Sequence, residues 1–373
     1  MHAVAAQFRT SVCTVSRWVG RAAEHRLDRV DFSDRKPGRA WNRAAAHVEQ
    51  RIVELRTSLR EASVLGEYGA RAIRAAMKAE MPDAPSQATI NRVLSRRGLQ
   101  DAVRRIRRPA PPPGWYLPDV VAGQAELDCF DFIEDLKIAD GPLVDALTAK
   151  SLHGRLSDAW VLKQRNAKRT TQCLRRRWRR DGLPGYAQFD NDTVFQGAHQ
   201  FPNAVGRISR LCLQLKVIPV FVPPLEHGMQ NTIESFNGLW QAKVWQRHRV
   251  RSVRELQRRS DEYNAARRLH TSAAAEAAPH RRPMPKRFKL DLHAPLCGLM
   301  IFIRRTDEAG HMHMLGQRFA VRPDWPHRLV RCEVDFDLHC IRCFGLRRGA
   351  PSEQPLLATI PYHRADKPFQ GAL

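Results

Sequence analysis

Apolar and polar positions follow two different periods along this chain, and the change of period divides it. Near the start Val4, Phe8, Val12, Val15 and Val19 recur at helical intervals, with a Thr10-Ser11 break between them. That is the pattern of two short helices joined by a turn. Ser11 would cap the second helix, and Thr14, Ser16 and Arg17 would then face a major groove. An amphipathic pair that touches no DNA has the same pattern. We assign a partial helix-turn-helix to residues 1–30. A second helical module is expected over residues 40–102, with helices at 44–59, 68–80 and 87–96. In the last of these Pro85 and Ser86 give the start signal and Ile90, Val93 and Leu94 the apolar side, leaving Gln87, Asn91 and Arg92 for solvent or DNA.

The tract RRIRRPAPPPGWYLP cannot continue a helix and predicts an extended linker over residues 103–119. Beyond it the period shortens. AELDCFDFI, PLVDALTA, DAWVLK and YAQF read as strands around a strongly basic helix near residues 170–180, so residues 120–272 predict an α/β core. After an Ala-rich and then Arg/Pro-rich connection, short strands recur over residues 290–362. They predict a small β-barrel. The fold class expected is therefore multidomain α/β.

Charge changes the picture. Across 373 residues the formal net charge is +24, and 51 of the 62 basic residues are Arg. Arg presents a planar fork that matches phosphate oxygens, so a polyanion is the first partner to consider. No apolar run approaches the roughly 18 residues of a membrane span, and MHAVAAQFRT has no leader-like pattern. A cytoplasmic protein without a membrane partner is expected. Its eight cysteines are too scattered for a secreted disulfide framework, and Cys340-x-x-Cys343 has no second pair to complete a zinc site.

Three acidic positions stand out. In AELDCFDFI alternation puts Asp128 on one face with Phe130 and Phe132, and Asp131 on the other with Leu127 and Cys129. Either carboxylate needs a cation or dense hydrogen bonding to compensate its lost hydration. Asp190 ends a strand in YAQFDNDTVF, a usual ligand position in open α/β sheets. Glu234 borders the helical stripe Ile233, Phe236, Trp240 and Val244. Two strand aspartates and one helix glutamate would form a hard oxygen site suited to Mg²⁺ or Mn²⁺.

Asp128 in ELDCFDF, Asp190 in FDNDTVF and Glu234 in IESFNGLW together resemble the acidic signature of integrase-core DDE transposases of bacterial insertion sequences. YNAARRLH at 263–270 is similar to the tail that closes this core. The resemblance covers roughly residues 115–270. It implies a ribonuclease-H-like, retroviral-integrase-like core with Asp128, Asp190 and Glu234 as catalytic metal ligands. It also implies two Mg²⁺ or Mn²⁺ ions per site, double-stranded DNA (element ends and target) as partner, a homo-oligomer on that DNA, and DNA cleavage with strand transfer. The spacing common among members would select Glu226, eight residues before Glu234. Glu226 follows Pro223-Pro224 in a loop, so Glu234 on its helix is preferred.

In RRRWRR, Arg175, Arg176 and Arg179 are candidates for phosphate contact and Trp178 for cation-π stacking, with a solvated helix face as the competing reading. Lys243 is a further candidate DNA contact. The alternative function is a relative that binds DNA as a repressor and performs no chemistry.

Overall fold

The computed structural model describes residues 1–22, 44–101, 111–139, 141–197, 201–223, 226 and 228–364. It divides into two compact units, residues 1–56 with 69–100 and residues 57–68 with 101–373.

The first unit is helical. α1 (His2–Gln7) and α2 (Val12–Ala22) meet through buried Ala5 and Val15. Ser11 Oγ accepts the Thr14 N–H at 3.1 Å, which satisfies a free amide of the first turn. α3 (Ala46–Ala62) contributes to this unit as far as Arg56, and α4 (Ala70–Glu80) and α5 (Gln87–Arg96) complete it. Ile52, Leu55, Ile73, Met77, Ile90, Val93 and Leu94 are its buried apolar residues. As the sequence requires, Ser86 caps α5 by accepting the Thr89 N–H.

The second unit is built on a nine-stranded mixed sheet. After α6 (Pro118–Val121) come β1 (Leu127–Lys137), β2 (Leu143–Ser151) and β3 (Ser157–Leu162), an antiparallel meander. α7 (Ala167–Asp181), β4 (Tyr186–Phe189), α8 (Thr193–Gln196), α9 (Arg207–Gln214) and β5 (Ile218–Phe221) follow, with β1, β4 and β5 paired in parallel. Next are α10 (Asn231–Trp240), a π-helical turn (Gln241–Trp245), α11 (Val253–His270) and α12 (Ser272–Glu276). The chain ends in β6 (Leu299–Arg305), the β7 (His311–Met314) and β8 (Gln317–Ala320) hairpin, β9 (Leu329–Asp335), β10 (Cys340–Leu346) and β11 (Leu356–Pro361). The strand order is β11-β10-β9-β6-β5-β4-β1-β2-β3.

The two faces of the sheet carry separate cores. Phe130 and Phe132 of β1 pack with Leu174 and Trp178 of α7 and with Ile208, Leu211 and Cys212 of α9. Leu127, Cys129 and Ile133 pack instead with Ile233, Phe236 and Trp240 of α10 and with Leu256 and Tyr263 of α11. The period-2 alternation of β1 thus sorts its side chains between two helical layers.

Two expectations change. Of the strands assigned to a barrel at 290–362, β6, β9, β10 and β11 are hydrogen-bonded into the same sheet, because β6 pairs in parallel with β5 through Val220–Ile301 and Phe221–Phe302, and β7 and β8 form a hairpin apart from it. A ladder of rings at 5.3, 5.9 and 5.2 Å, Phe130–Phe189–Phe221–Phe302, runs across that junction. Aromatic neighbours on adjacent strands favour this register. The expected linker lies partly outside the described residues, and its end is not an exposed tract. Trp115, Tyr116 and Leu117 are buried, and Tyr116 Oη donates to the Met229 carbonyl at 3.2 Å.

Candidate active site

Asp128 faces α7, not the helix that carries Glu234. It is fully buried, and six donors converge on its two oxygens. Arg177 binds it through Nε and Nη2 at 3.0 and 3.1 Å, and Arg281 through Nη1 and Nη2 at 3.0 and 2.7 Å. Ser151 Oγ donates at 2.9 Å and Trp178 Nε1 at 3.2 Å. Burial alone would raise this carboxyl's pKa, but Arg177 and Arg281 hold it well below the usual carboxylate range. The network continues through Asp158 and Asp181 to Arg180 and Arg268. A carboxylate with its lone pairs already taken has none to offer a metal. Asp128 is therefore corrected from candidate ligand to the anchor of a buried ion network.

Three residues on, Asp131 points to the opposite face, toward α10. It is half-buried, and among the described residues its carboxyl accepts only its neighbour Phe132 N–H at 2.9 Å and Asn237 Nδ2 at 2.8 Å. Thr148 Oγ1 lies 2.7 Å from Asn237 Oδ1 and 3.1 Å from the Asp131 carbonyl, which orients the Asn237 amide. Burial first, then the charges of Asp190 and Glu234, push the Asp131 carboxyl up to about 7, while its two hydrogen bonds oppose the shift. Such a rise marks a carboxylate taken out of water, and near other acids, without a cation to balance it.

Asp190 follows the last residue of β4. Its Oδ1 accepts the Asp192 N–H at 2.9 Å in an Asx turn. Burial and the Asp192 and Glu134 charges raise its pKa, against that hydrogen bond and the charge of Arg165. Asn191 next to it is occupied structurally, accepting from Arg304 Nη2 at 2.8 Å and donating to the Val222 carbonyl. Glu234 lies in the first turn of α10, exposed, and makes no side-chain hydrogen bond to another described residue. Glu226 is held instead by Arg305 and by Arg348, the latter at 3.0 Å.

Asp190 and Glu234 are thus the two acids whose charges reach Asp131. Among the described residues no group of three or more His, Cys, Asp or Glu is close enough together to hold one ion as it stands. The donor chemistry nevertheless suits a hard divalent cation: all three are carboxylates, and no Arg or Lys is paired directly with any of them among the described residues. The sequence reading missed Asp131, Thr148 and Asn237. Alternation put Asp131 on the face of Leu127 and Cys129, but only the docking of α10 on that face distinguishes it from Asp128.

The candidate DNA contacts divide. Ser16, Arg17, Gln87, Asn91 and Arg92 are exposed in the first unit, whereas Thr14 is half-buried and bonded to Ser11. In the second unit Arg176 and Arg179 are exposed, but Arg175 donates to the Phe288 carbonyl at 3.0 Å. Trp178 is fully buried, which removes the stacking role expected for it. Lys243 donates to the Gly66 carbonyl at 2.8 Å and lies over the Tyr68 ring, so it too is engaged within the protein. No helix among the described residues is long and apolar enough to cross a membrane.

No protein-family model matches the chain, and no curated protein matches it. Among solved structures it is similar to the cryo-electron-microscopy structure of a simian T-cell lymphotropic virus intasome in complex with the PP2A regulatory subunit B56 gamma. The identity is 12% and the TM-score 0.29, over 69% of this chain and 87% of that one.

Proposed function

We propose that this chain is a metal-dependent DNA strand transferase of the DDE transposase and integrase kind, which binds the DNA ends of a mobile element and joins them to target DNA. The reading rests on one observation above the others: Asp131 is pushed up to about 7 by burial and by the charges of Asp190 and Glu234, brought from three separate elements. Mutual repulsion among carboxylates is relieved by a cation, and hard oxygens select Mg²⁺ or Mn²⁺. The net charge of +24 and the exposed polar side of α5 support a DNA partner.

In this reading Asp131, Asp190 and Glu234 are the ligands. When bound, the divalent metal supplies stabilisation of the phosphate charge and activation of the attacking hydroxyl. Asp131 must give up the proton it holds near neutral pH. Asn237, fixed by Thr148, keeps the Asp131 carboxylate aimed along α10, and Glu234 approaches from the same helix one turn earlier. The Asp190 turn is braced by the Asp192 amide, and Asn191 ties its loop to β5 and β6.

The test compares the full-length parent with Asp131→Asn, Asp190→Asn and Glu234→Gln on labelled element-end duplexes with Mg²⁺ or Mn²⁺. Cleavage and joining by the parent, lost in all three variants with folding intact, is the expected result. Parent-level product from Asp131→Asn would overturn the ligand assignment. Duplex binding by every protein with product from none would support the repressor alternative. Calorimetry of Mn²⁺ binding in buffers of different ionisation enthalpy gives a second readout: the parent should release a proton near pH 7 and Asp131→Asn should not.

A further inference from the structure

Arg177, Arg180, Arg268 and Arg281 are matched by carboxylates around Asp128, Asp158 and Asp181. A second group of cations nearer the acids is not. Lys150 of β2, Arg155 in the β2–β3 turn and Arg267 of α11 have no carboxylate within 4 Å among the described residues.

Packing brings the three together. Lys150 pairs across the sheet with Ser157, and Arg155 precedes Ser157 by two residues in a left-handed turn at φ +53°. Ser157 Oγ contacts Asn264 Oδ1 on α11 at 3.2 Å, and Arg267 lies one turn beyond Asn264. Its guanidinium lies 5.9 Å from the Phe236 ring centre and 5.8 Å from that of Tyr263, and its Nε is buried without a hydrogen-bond partner. Phe236 follows Ser235, whose Oγ accepts from Lys150 Nζ at 3.1 Å. Burial, then the charges of Arg267 and Arg155, push the Lys150 ammonium below its usual range. Three like charges held together by side-chain packing are stabilised by an anion among them.

The position relates this cluster to the acids. On β2, Lys150 is two residues from Thr148, hence on the same face and roughly 6.6 Å along the strand. Thr148 orients Asn237 on Asp131, and Ser235 directly follows Glu234. A basic cluster therefore adjoins the carboxylates along α10.

We infer that Lys150, Arg155 and Arg267 form a subsite for a backbone phosphate of the DNA strand, next to the phosphate that would lie at the acids. This rests on the function proposed above and adds which residues grip the strand beside the reacting bond. Lys150 and Arg155 reach the phosphate, and Arg267, set over two rings, adds its positive charge beside them.

The experiment measures how binding of a short fluorescent DNA duplex by the full-length protein depends on salt, for the parent, Lys150→Gln/Arg155→Gln and Lys150→Arg. Each lost phosphate contact should flatten the slope of log K against log salt by about 0.9. With one phosphate at this subsite the double variant should therefore lose up to about 0.9, with an unchanged melting temperature, and Lys150→Arg should keep the parent slope. A double variant with the parent slope overturns this subsite alone. A parent that shows no salt-dependent duplex binding overturns the proposed function and this inference with it. Inorganic phosphate raising the parent's melting temperature but not the double variant's, with equal DNA slopes, would assign the cluster to free phosphate instead.

Discussion

Asp128 and Asp131 are three residues apart on one strand and have opposite surroundings. Asp128 sits among two arginines, a serine and an indole, with its pKa driven down. Asp131 faces two other acids and one amide, with its pKa driven up to about 7. The same side chain is compensated on one face and uncompensated on the other. What separates them is the helix laid over each face: α7 brings Arg177, and α10 brings Glu234 and Asn237. A compensated carboxylate stabilises the fold, and an uncompensated one costs stability until a cation or proton arrives.

The comparison can be broken most directly at Asp128. Asp128→Ala leaves Arg177 and Arg281 without their shared anion in a dry interior, and should destabilise the protein by about 3–5 kcal/mol. Denaturant unfolding checks it, with or without divalent metal; a loss below about 1 kcal/mol would remove the anchoring role. Asp131→Asn should do the reverse. Strand transfer should fall by more than about 100-fold, the upper end of what outer-shell changes cost, while stability near pH 7 is kept or raised.

Asn237→Ala sharpens the contrast at smaller amplitude. It removes the amide that aims Asp131, so metal affinity and strand-transfer rate should fall about 10–100-fold without unfolding. Recovery of most of that loss at high Mn²⁺ would separate positioning from a purely structural effect. An unchanged Mn²⁺ affinity would deny Asn237 the role.

The smallest effect is on stability against pH. Asp131 carries a folded-state pKa near 7 against an ordinary value of 3.8, so the native state binds more protons than the unfolded state between them. Its stabilising contribution is complete below about pH 4 and is lost as pH rises through 7. Asp190, also raised, adds to the same slope. Asp128, lowered, has the opposite sign and acts only at pH values below the ordinary carboxylate range. Metal-free parent should thus lose stability from pH 4 to 7, and Asp131→Asn should show a shallower decline. Identical profiles for the two would contradict the raised pKa.

Much of the architecture was legible in the chain. The helices at 44–59, 68–80 and 87–96 were expected and occur at Ala46–Ala62, Ala70–Glu80 and Gln87–Arg96, because apolar spacing and the Ser86 cap are local signals. Strand Tyr186–Phe189, Asp190 at its end and Glu234 on a helix followed from equally local cues. The C-terminal strands were visible as strands, but their pairing with β5 was not, since a register between distant segments leaves no short-range trace. Trp178 illustrates the same limit: in RRRWRR it resembles a surface stacking residue, and only packing against Phe130 shows it to be core.

By itself the sequence determined that β1 alternates, and so that Asp128 and Asp131 must face opposite ways. It could not determine which face would receive the helix bearing Glu234. That depended on where α10 and α7 docked, through contacts between segments 50 to 106 residues apart, such as Trp178 with Asp128 and Asn237 with Asp131. Alternation is fixed by the backbone of a single strand, whereas the charge on either side of it is supplied by the rest of the fold.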